Sequence, residues 1–116
     1  MAFEFQWEPA ADEAYKKLEE AAKKAFENRR QSGRKKSSKQ EGLFKQIVKA
    51  LRFLREDPRH PGLSCHIYHG LEHPYDPSEK VWEAYAQNKT PTAYRIFWCY
   101  GPGKGLITII AISPHP

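Results

Sequence analysis

Cysteine is scarce in this sequence, since Cys65 and Cys99 are its only two among 116 residues. Two cysteines cannot form the disulfide framework that stabilises small secreted domains. No secretory signal opens the chain. The longest apolar stretch, from Leu106 to Ile112, is far too short to cross a bilayer. We therefore expect a soluble cytoplasmic protein with reduced thiols and no membrane contact.

Acidic and basic residues nearly balance outside one segment. The chain has 19 Lys and Arg against 14 Asp and Glu, which gives a formal net charge of +5. Six of the basic residues lie in one polar segment, and the other 13 nearly match the 14 acids. This segment could bind a polyanion such as RNA or form a solvated loop, and charge alone does not decide between them. Its basic residues are Arg29, Arg30, Arg34, Lys35, Lys36 and Lys39.

Hydrophobic spacing predicts a short strand and two helices in the first half of the chain. Apolar and polar residues alternate over 3–7, which is typical of a strand. A first helix is predicted from Pro9 to about Asn28, followed by a flexible basic connection over residues 29–40, which contain no apolar side chain. A second helix follows and ends at Asp57 and Pro58. Its apolar stripe consists of Leu43, Ile47, Ala50, Leu51 and Leu54.

The second half of the chain has the two-residue period of strands. Strands are predicted over 63–69, 81–86, 93–100 and 106–112, and a Gly/Pro turn separates the last two. We therefore predict an α+β fold in which an N-terminal helical hairpin packs on a twisted antiparallel sheet. At 116 residues the chain, from 1 to 116, is expected to form a single domain.

Two residues near the end of the chain are candidates for a site. Arg95 is a charged residue within an apolar strand, so it forms a structural salt bridge, for instance with Glu83, extends its guanidinium to water, or meets an anion. His115 follows the last strand and is either a proton-transfer group or part of a frayed tail. Pairing the last two strands as a hairpin places Arg95 opposite residues 110–112.

The order of the elements and four segments resemble the RelE/ParE superfamily of bacterial type II toxins. The segments are HPGLSCHIYHG, VWEAYAQ, AYRIFW and ITIIAISPHP. The resemblance spans essentially the whole chain and is strongest from Asp57 onward. It implies the RelE-like fold, a cognate antitoxin as partner, and metal-independent endoribonuclease activity on mRNA at the ribosome. ParE-like members inhibit DNA gyrase instead, and a catalytically inactive protein of this fold is a third alternative.

The resemblance also assigns roles to residues. RNA cleavage without a metal needs a base, a cation and an acid. Arg95 matches the family's strand arginine and His115 its terminal catalytic position. His66, on the polar face of the second predicted strand, is a further catalytic candidate. The strand over 81–85 lacks the basic residues of many RNA-cleaving members and offers the Glu83 carboxylate instead. The predicted RNA-binding residues are Arg34, Lys35, Lys36, Lys39 and Tyr85.

A cluster of histidines raises the question of a metal site. Four histidines and a cysteine lie close together, but their spacing matches no standard zinc finger or catalytic zinc site. If the strand alternates, Cys65 points away from His66. We therefore expect neither a metal nor another cofactor. The residues are His60, Cys65, His66, His69 and His73.

Overall fold

A computed structural model describes residues 2–87 and 92–114 of the chain. Two helices pack on one five-stranded sheet with the strand order β1-β5-β4-β3-β2. The elements are β1 (Glu4–Trp7), α1 (Pro9–Ser32), α2 (Lys39–Glu56), a 3-10 turn (Pro61–Leu63), β2 (His66–Tyr68), β3 (Val81–Tyr85), β4 (Tyr94–Tyr100) and β5 (Leu106–Pro114).

The predicted α+β fold, a helical hairpin on a sheet, is confirmed. Strands β2 to β5 form the expected antiparallel meander. β1 differs, because it pairs in parallel with β5 and makes the sheet mixed. Its direction depends on a partner at the other end of the sequence, and the local alternation of residues 3–7 carries no information about that partner.

The core lies between the two helices and the inner face of the sheet. Four members of the stripe predicted on α2 are buried in one cluster with large apolar residues of the central strands, and the fifth, Leu43, is partly buried against it. Burial of each such side chain is worth about 1.5–3 kcal/mol. Neither helix of the described part is apolar enough to span a membrane. The sheet residues of this core include Ala84, Ile96, Trp98, Ile107, Ile109 and Ile112.

The helix α1 is longer than predicted, and the connection is correspondingly shorter. The helix continues through Arg29 to Ser32, and α2 already begins at Lys39, so only residues 33–38 connect them. Gly33 ends α1 in the left-handed conformation, with φ at 75°, and its N–H donates to Arg30. The prediction of a connection over 29–40 is therefore wrong at both ends, because polar residues form the terminal helical turns.

A capping box fixes the start of α2. Ser38 Oγ accepts from the Glu41 N–H at 3.2 Å, and the Ser38 N–H donates to Glu41 Oε2 at 2.8 Å. Arg29 Nη2 lies 2.9 Å from Glu41 Oε1, so one carboxylate joins the end of α1 to the start of α2. The Arg29 guanidinium, followed by the Ser38 N–H, lowers the pKa of Glu41 from 4.5 to about 2.

The strand β2 is shorter than the predicted 63–69. Pro61–Leu63 form a 3-10 turn, and Leu63 is fully buried in the core. Ser64 then adopts the left-handed conformation, with φ at 47°, so extended backbone starts only at His66. The buried Leu63 therefore belongs to a turn rather than to the strand that the alternation predicted.

We expect acid to weaken the contact between the two helices. Glu41 has a lowered pKa in the folded protein, so its contribution to the free energy of unfolding is present above pH 4.5. It is lost as the pH falls from there towards 2. Urea unfolding should show Glu41→Gln less stable than wild type at pH 7, and the difference should shrink at pH 3.

The matched control is Glu27→Gln. Glu27 forms an exposed ion pair with Arg30 at 3.5 Å within α1, and such pairs contribute little to stability. This variant should resemble wild type at both pH values. A Glu41→Gln variant whose deficit is the same at pH 7 and pH 3 would contradict the assignment of the effect to the carboxylate.

Candidate functional site

The sheet has an outer face, defined as the face turned away from both helices. Because side chains alternate along a strand, the neighbours of core residues on β3, β4 and β5 point to this face. His66 of β2 pairs with Glu83 of β3, and Tyr85 of β3 pairs with Arg95 of β4. Ser113 of β5 lies opposite Arg95 on the other side. Adjoining polar side chains from three strands thus share the outer face.

A β-bulge sets the position of Arg95 against β5. Trp98 pairs with Ile109, and this register alone would place Arg95 opposite Ile112. The register shifts between Phe97 and Trp98, and Arg95 lies opposite Ser113. The expectation that Arg95 faces residues 110–112 is therefore wrong by one residue, because the bulge adds a residue to β5.

His66 and Glu83 form a short polar contact in the site. His66 Nε2 lies 2.6 Å from Glu83 Oε1, and His66 Nδ1 lies 3.2 Å from the Ser64 carbonyl oxygen. A carboxylate and a carbonyl both only accept hydrogen bonds. With Glu83 ionised, both contacts are hydrogen bonds at once when both ring nitrogens carry a proton, which is the imidazolium form. Ser64 has a left-handed backbone conformation, and its carbonyl oxygen is one of the two acceptors that contact His66.

Tyr85 and Arg95 form the second part of the site. The Arg95 guanidinium carbon lies 3.9 Å from the centroid of the Tyr85 ring, which is a close cation–π contact. Arg95 Nη1 donates to the Ala93 carbonyl oxygen at 2.8 Å. The Tyr85 ring also lies 5.6 Å from the His66 ring, centroid to centroid. Tyr85 therefore contacts both the imidazole and the guanidinium.

Burial divides the four side chains into two pairs. Glu83 is 1% exposed and Arg95 is 2% exposed. The His66 side chain, in contrast, is 47% exposed, and Tyr85 is partly exposed. His66 and Tyr85 can therefore meet a ligand directly. Glu83 and Arg95 lie in a poorly hydrated layer, where charges act over a distance with little screening.

Three of the predicted site residues are brought together, and one is not described. His66, Tyr85 and Arg95 meet on the outer face as adjoining or contacting side chains. His115 lies outside the described residues. The sequence indicates Glu83 as a possible ion-pair partner of Arg95 and as the carboxylate of its strand, but it does not predict the contact with His66. That contact depends on the register of β2 against β3, which no motif in the sequence specifies.

The predicted basic residues lie at the helical hairpin, away from the outer face. Arg34, Lys35 and Lys36 are exposed in the connection over 33–38. Lys39 is exposed at the start of α2 and lines a groove with Gln87 and Tyr94. This groove adjoins the end of the sheet at which Tyr85 and Arg95 lie. Lys39 thus lies near the end of the sheet that carries the site, whereas Arg34, Lys35 and Lys36 lie in the connection of the helical hairpin.

The histidines between positions 60 and 73 make separate local contacts. His60 Nδ1 accepts from the Gly62 N–H at 2.9 Å, whereas His73 bonds within its own loop and to Tyr100. Within residues 2–87 and 92–114, no three His, Cys, Asp or Glu side chains are placed to share a metal ion. His60 and His73 each have a role in the local backbone structure through these contacts.

Neither thiol is suited to act as a nucleophile. Burial raises the pKa of Cys65 and of Cys99 to about 11, and a weaker opposing effect on Cys65 comes from a hydrogen bond with Trp98. Both thiols are free. The protonated thiol is the dominant form at neutral pH, and only the thiolate attacks.

Comparison with known proteins gives two similar solved structures and no sequence match. The archaeal RelE–RelB complex from Pyrococcus horikoshii OT3 aligns with 98% of this chain and 96% of its own, at 11% identity and a TM-score of 0.56. The YoeB/ParE toxin from Agrobacterium tumefaciens aligns with 97% and 99%, at 10% identity and a TM-score of 0.61. No family model and no curated protein matches the sequence. The chain therefore has the fold of the RelE/ParE toxins, as the sequence resemblance predicted.

Proposed function

We propose that this protein is the toxin of a type II toxin–antitoxin system and that it inhibits growth by cleaving mRNA. The observation that carries the proposal is the cluster on the outer face, in which His66 pairs with Glu83 beside Tyr85 and Arg95. The similarity of the fold to RelE and YoeB/ParE toxins supports it. Because its substrate would be mRNA, the proposed location is the cytoplasm.

The proposed reaction is attack of an RNA 2′-hydroxyl on the adjacent phosphorus. The bond from phosphorus to the 5′-oxygen breaks, which gives a 2′,3′-cyclic phosphate and a free 5′-hydroxyl. A base takes the proton of the 2′-hydroxyl, and an acid gives a proton to the leaving 5′-oxygen. A cation stabilises the negative charge that gathers on the phosphate oxygens. Protein side chains can fill all three roles without a metal.

His66 is the proposed acid and Arg95 the proposed cation. The imidazolium can keep its Nε2 proton on Glu83 and offer the Nδ1 proton, now bonded to Ser64, to the leaving oxygen. Arg95 contributes a permanent positive charge beneath Tyr85, where little water screens it. His115, which the sequence analysis predicts as a proton-transfer group, is the proposed base.

The exposed basic residues of the helical hairpin are proposed to contact the ribosome or the RNA strand. Flexible, exposed cations bind phosphates without fixed geometry and release counterions when they do. Lys39 lines a groove next to the end of the sheet that carries Tyr85, which would let one RNA reach both. Tyr85 is proposed to contact the RNA beside the cleaved bond. The basic residues are Arg34, Lys35, Lys36 and Lys39.

A cognate antitoxin is the proposed protein partner. One of the similar structures is a complex of RelE with RelB, and this suggests the same kind of pairing for this chain. A segment that folds on binding could cover His66 and Tyr85, and acidic residues of the partner would complement the basic residues of the helical hairpin. Covering these two exposed residues would be enough to silence the proposed site.

Primer extension on cellular mRNA after a short induction tests the proposed function. We expect new 5′ ends within translated messages. An inhibitor that keeps ribosomes off the mRNA should reduce the number of these ends. Growth inhibition with DNA damage and without new ends would instead indicate inhibition of DNA gyrase. Absence of any growth effect would indicate a catalytically inactive protein of this fold.

Replacement of Arg95 should remove cleavage. Loss of a group that stabilises transition-state charge commonly costs about 100- to 1,000-fold in rate. We expect Arg95→Gln to lose activity by this factor and Arg95→Lys to retain part of it, because lysine keeps the charge without the planar stacking on Tyr85. Single-turnover cleavage measures both. Arg52→Gln, an exposed arginine on α2, is the matched control. A folded Arg95→Gln protein with wild-type activity would contradict the assigned role.

Replacement of His66 by glutamine (His66→Gln) should lower the cleavage rate about 100- to 10,000-fold. The glutamine side chain can form a hydrogen bond with Glu83, but it cannot transfer a proton. Glu83→Gln should cost less, since Glu83 acts by holding the imidazole. The double variant should then be no slower than His66→Gln alone. His69→Gln, an exposed histidine of the same segment, is the control. Additive losses in the double variant would show that Glu83 does not act through His66.

A further inference from the structure

The loop between β2 and β3, residues 69–80, packs over one end of the outer face. Thr108 of β5 and Cys99 of β4 pair there, and both are fully buried although they point away from the helices. The Tyr75 hydroxyl and the Thr108 hydroxyl share a hydrogen bond at 3.0 Å. Thr108 Oγ1 also donates to the Gly101 carbonyl at 2.9 Å. The loop is thus fastened to the sheet through Tyr75.

His73 holds the loop in one conformation. Its Nδ1 accepts from the N–H groups of Tyr75 at 3.2 Å and Asp76 at 3.1 Å. Its Nε2 lies 3.0 Å from the Tyr100 carbonyl oxygen. A nitrogen that accepts two N–H bonds carries no proton, so Nε2 is the protonated nitrogen and donates to Tyr100. The ring is 7% exposed, which makes it an interior connection between the loop and β4.

Tyr75 is both fixed and exposed. Its hydroxyl is bonded to Thr108, its N–H is bonded to His73, and its ring meets the His73 ring edge-on at 5.8 Å. Nevertheless, 45% of the residue is exposed. An aromatic side chain that is held this firmly has little conformational entropy to lose on binding. The exposed part of Tyr75 is therefore held in one position, where a ligand can contact it.

Tyr75 lies along the outer face from the proposed catalytic cluster. On β4, Cys99 follows Phe97 by two residues, so both side chains lie on the outer face. Cys99 pairs with Thr108 of β5, and Phe97 pairs with Glu83 of β3. A step of two residues is about 7 Å along the strands. Between them, the Tyr68 and Phe97 rings contact each other with centroids 4.7 Å apart. The partly exposed Tyr68 ring, packed on the buried Phe97 ring, thus lies between the cluster and Tyr75 on this face.

We propose that Tyr75 is a stacking platform for a base of the RNA next to the cleaved bond, and that His73 is the positioning residue that holds it there. This inference rests on the proposed cleavage of RNA. A base presents a flat π-face whatever its sequence, and an exposed aromatic ring binds it by stacking. The platform would fix the register of the strand while His66 and Arg95 act on the phosphate.

The probe is a single-stranded RNA oligonucleotide that lacks the 2′-hydroxyl at the cleaved position and carries 2-aminopurine beside it. Tyr75→Ala should weaken binding of this RNA by about 5- to 150-fold and should remove the fluorescence change of the 2-aminopurine at saturation. Tyr75→Phe keeps the ring and should bind within about threefold of wild type. His73→Ala, which frees the loop without removing Tyr75, should weaken binding by less than Tyr75→Ala.

Tyr100→Ala is the matched control for this experiment. Tyr100 is 44% exposed, nearly as much as Tyr75, but its ring packs beside Trp98 on the opposite face of the sheet. This variant should bind RNA like wild type. Equal losses in Tyr75→Ala and Tyr100→Ala, or wild-type binding and fluorescence in Tyr75→Ala, would overturn the platform. So would a Tyr75→Ala variant that loses only binding to a protein partner.

The outcomes separate the platform from the proposed function. If wild-type protein cleaves RNA and Tyr75→Ala binds it unchanged, the platform fails and the function stands. If wild-type protein neither cleaves nor binds RNA, both fail. Cleavage by wild type, together with the expected loss in Tyr75→Ala and its recovery in Tyr75→Phe, supports both.

Discussion

The strand β4 is the element on which the rest of the structure depends, because it is the middle strand of the sheet and is buried on both faces. Its inner residues Ile96 and Trp98 contact the helices, and its outer residues Arg95 and Phe97 lie in the layer of the proposed site. The same backbone therefore fixes the core and the site. A shift of one residue in its pairing would exchange the two faces and destroy both.

Stability alone does not account for the charges in this layer. Removing a carboxylate and a guanidinium from water costs several kcal/mol per group, and apolar residues of similar volume often stabilise such positions equally well or better. Glu83 and Arg95 are nevertheless almost fully buried. Their neighbours His66 and Tyr85 are the exposed ones, and each contacts one of the buried charges. The arrangement suits a site in which buried charges orient exposed groups and set their electric field.

Hydrophobic spacing along the sequence correctly predicts the elements whose position depends on burial of their own side chains. The apolar stripe of α2 and the alternation of β3 to β5 follow from burial on one side or both, and these elements form where the patterns predict them. The start of α2 also had a local signal, the capping box of Ser38 and Glu41, which would have corrected the predicted connection. The extension of α1 had a weaker signal in Gly33 alone.

The remaining features depend on contacts between distant segments. The parallel direction of β1, the bulge that brings Arg95 to Ser113, and the pairing of His66 with Glu83 are all matters of register. The resemblance to RelE/ParE toxins selected Arg95 and the terminal histidine. It did not indicate how His73 fixes the loop over 69–80, because that contact depends on a backbone carbonyl of β4.

We propose that the outer face of the sheet binds RNA through the cluster of His66, Tyr85 and Arg95. The most direct measurement is a titration of the isotopically labelled protein with a non-cleavable single-stranded RNA, followed residue by residue by NMR. We expect saturable chemical-shift changes that are largest for the His66 ring, the Tyr85 ring and the Arg95 side chain. Changes confined to α1 and α2, with the outer face unaffected, would contradict it.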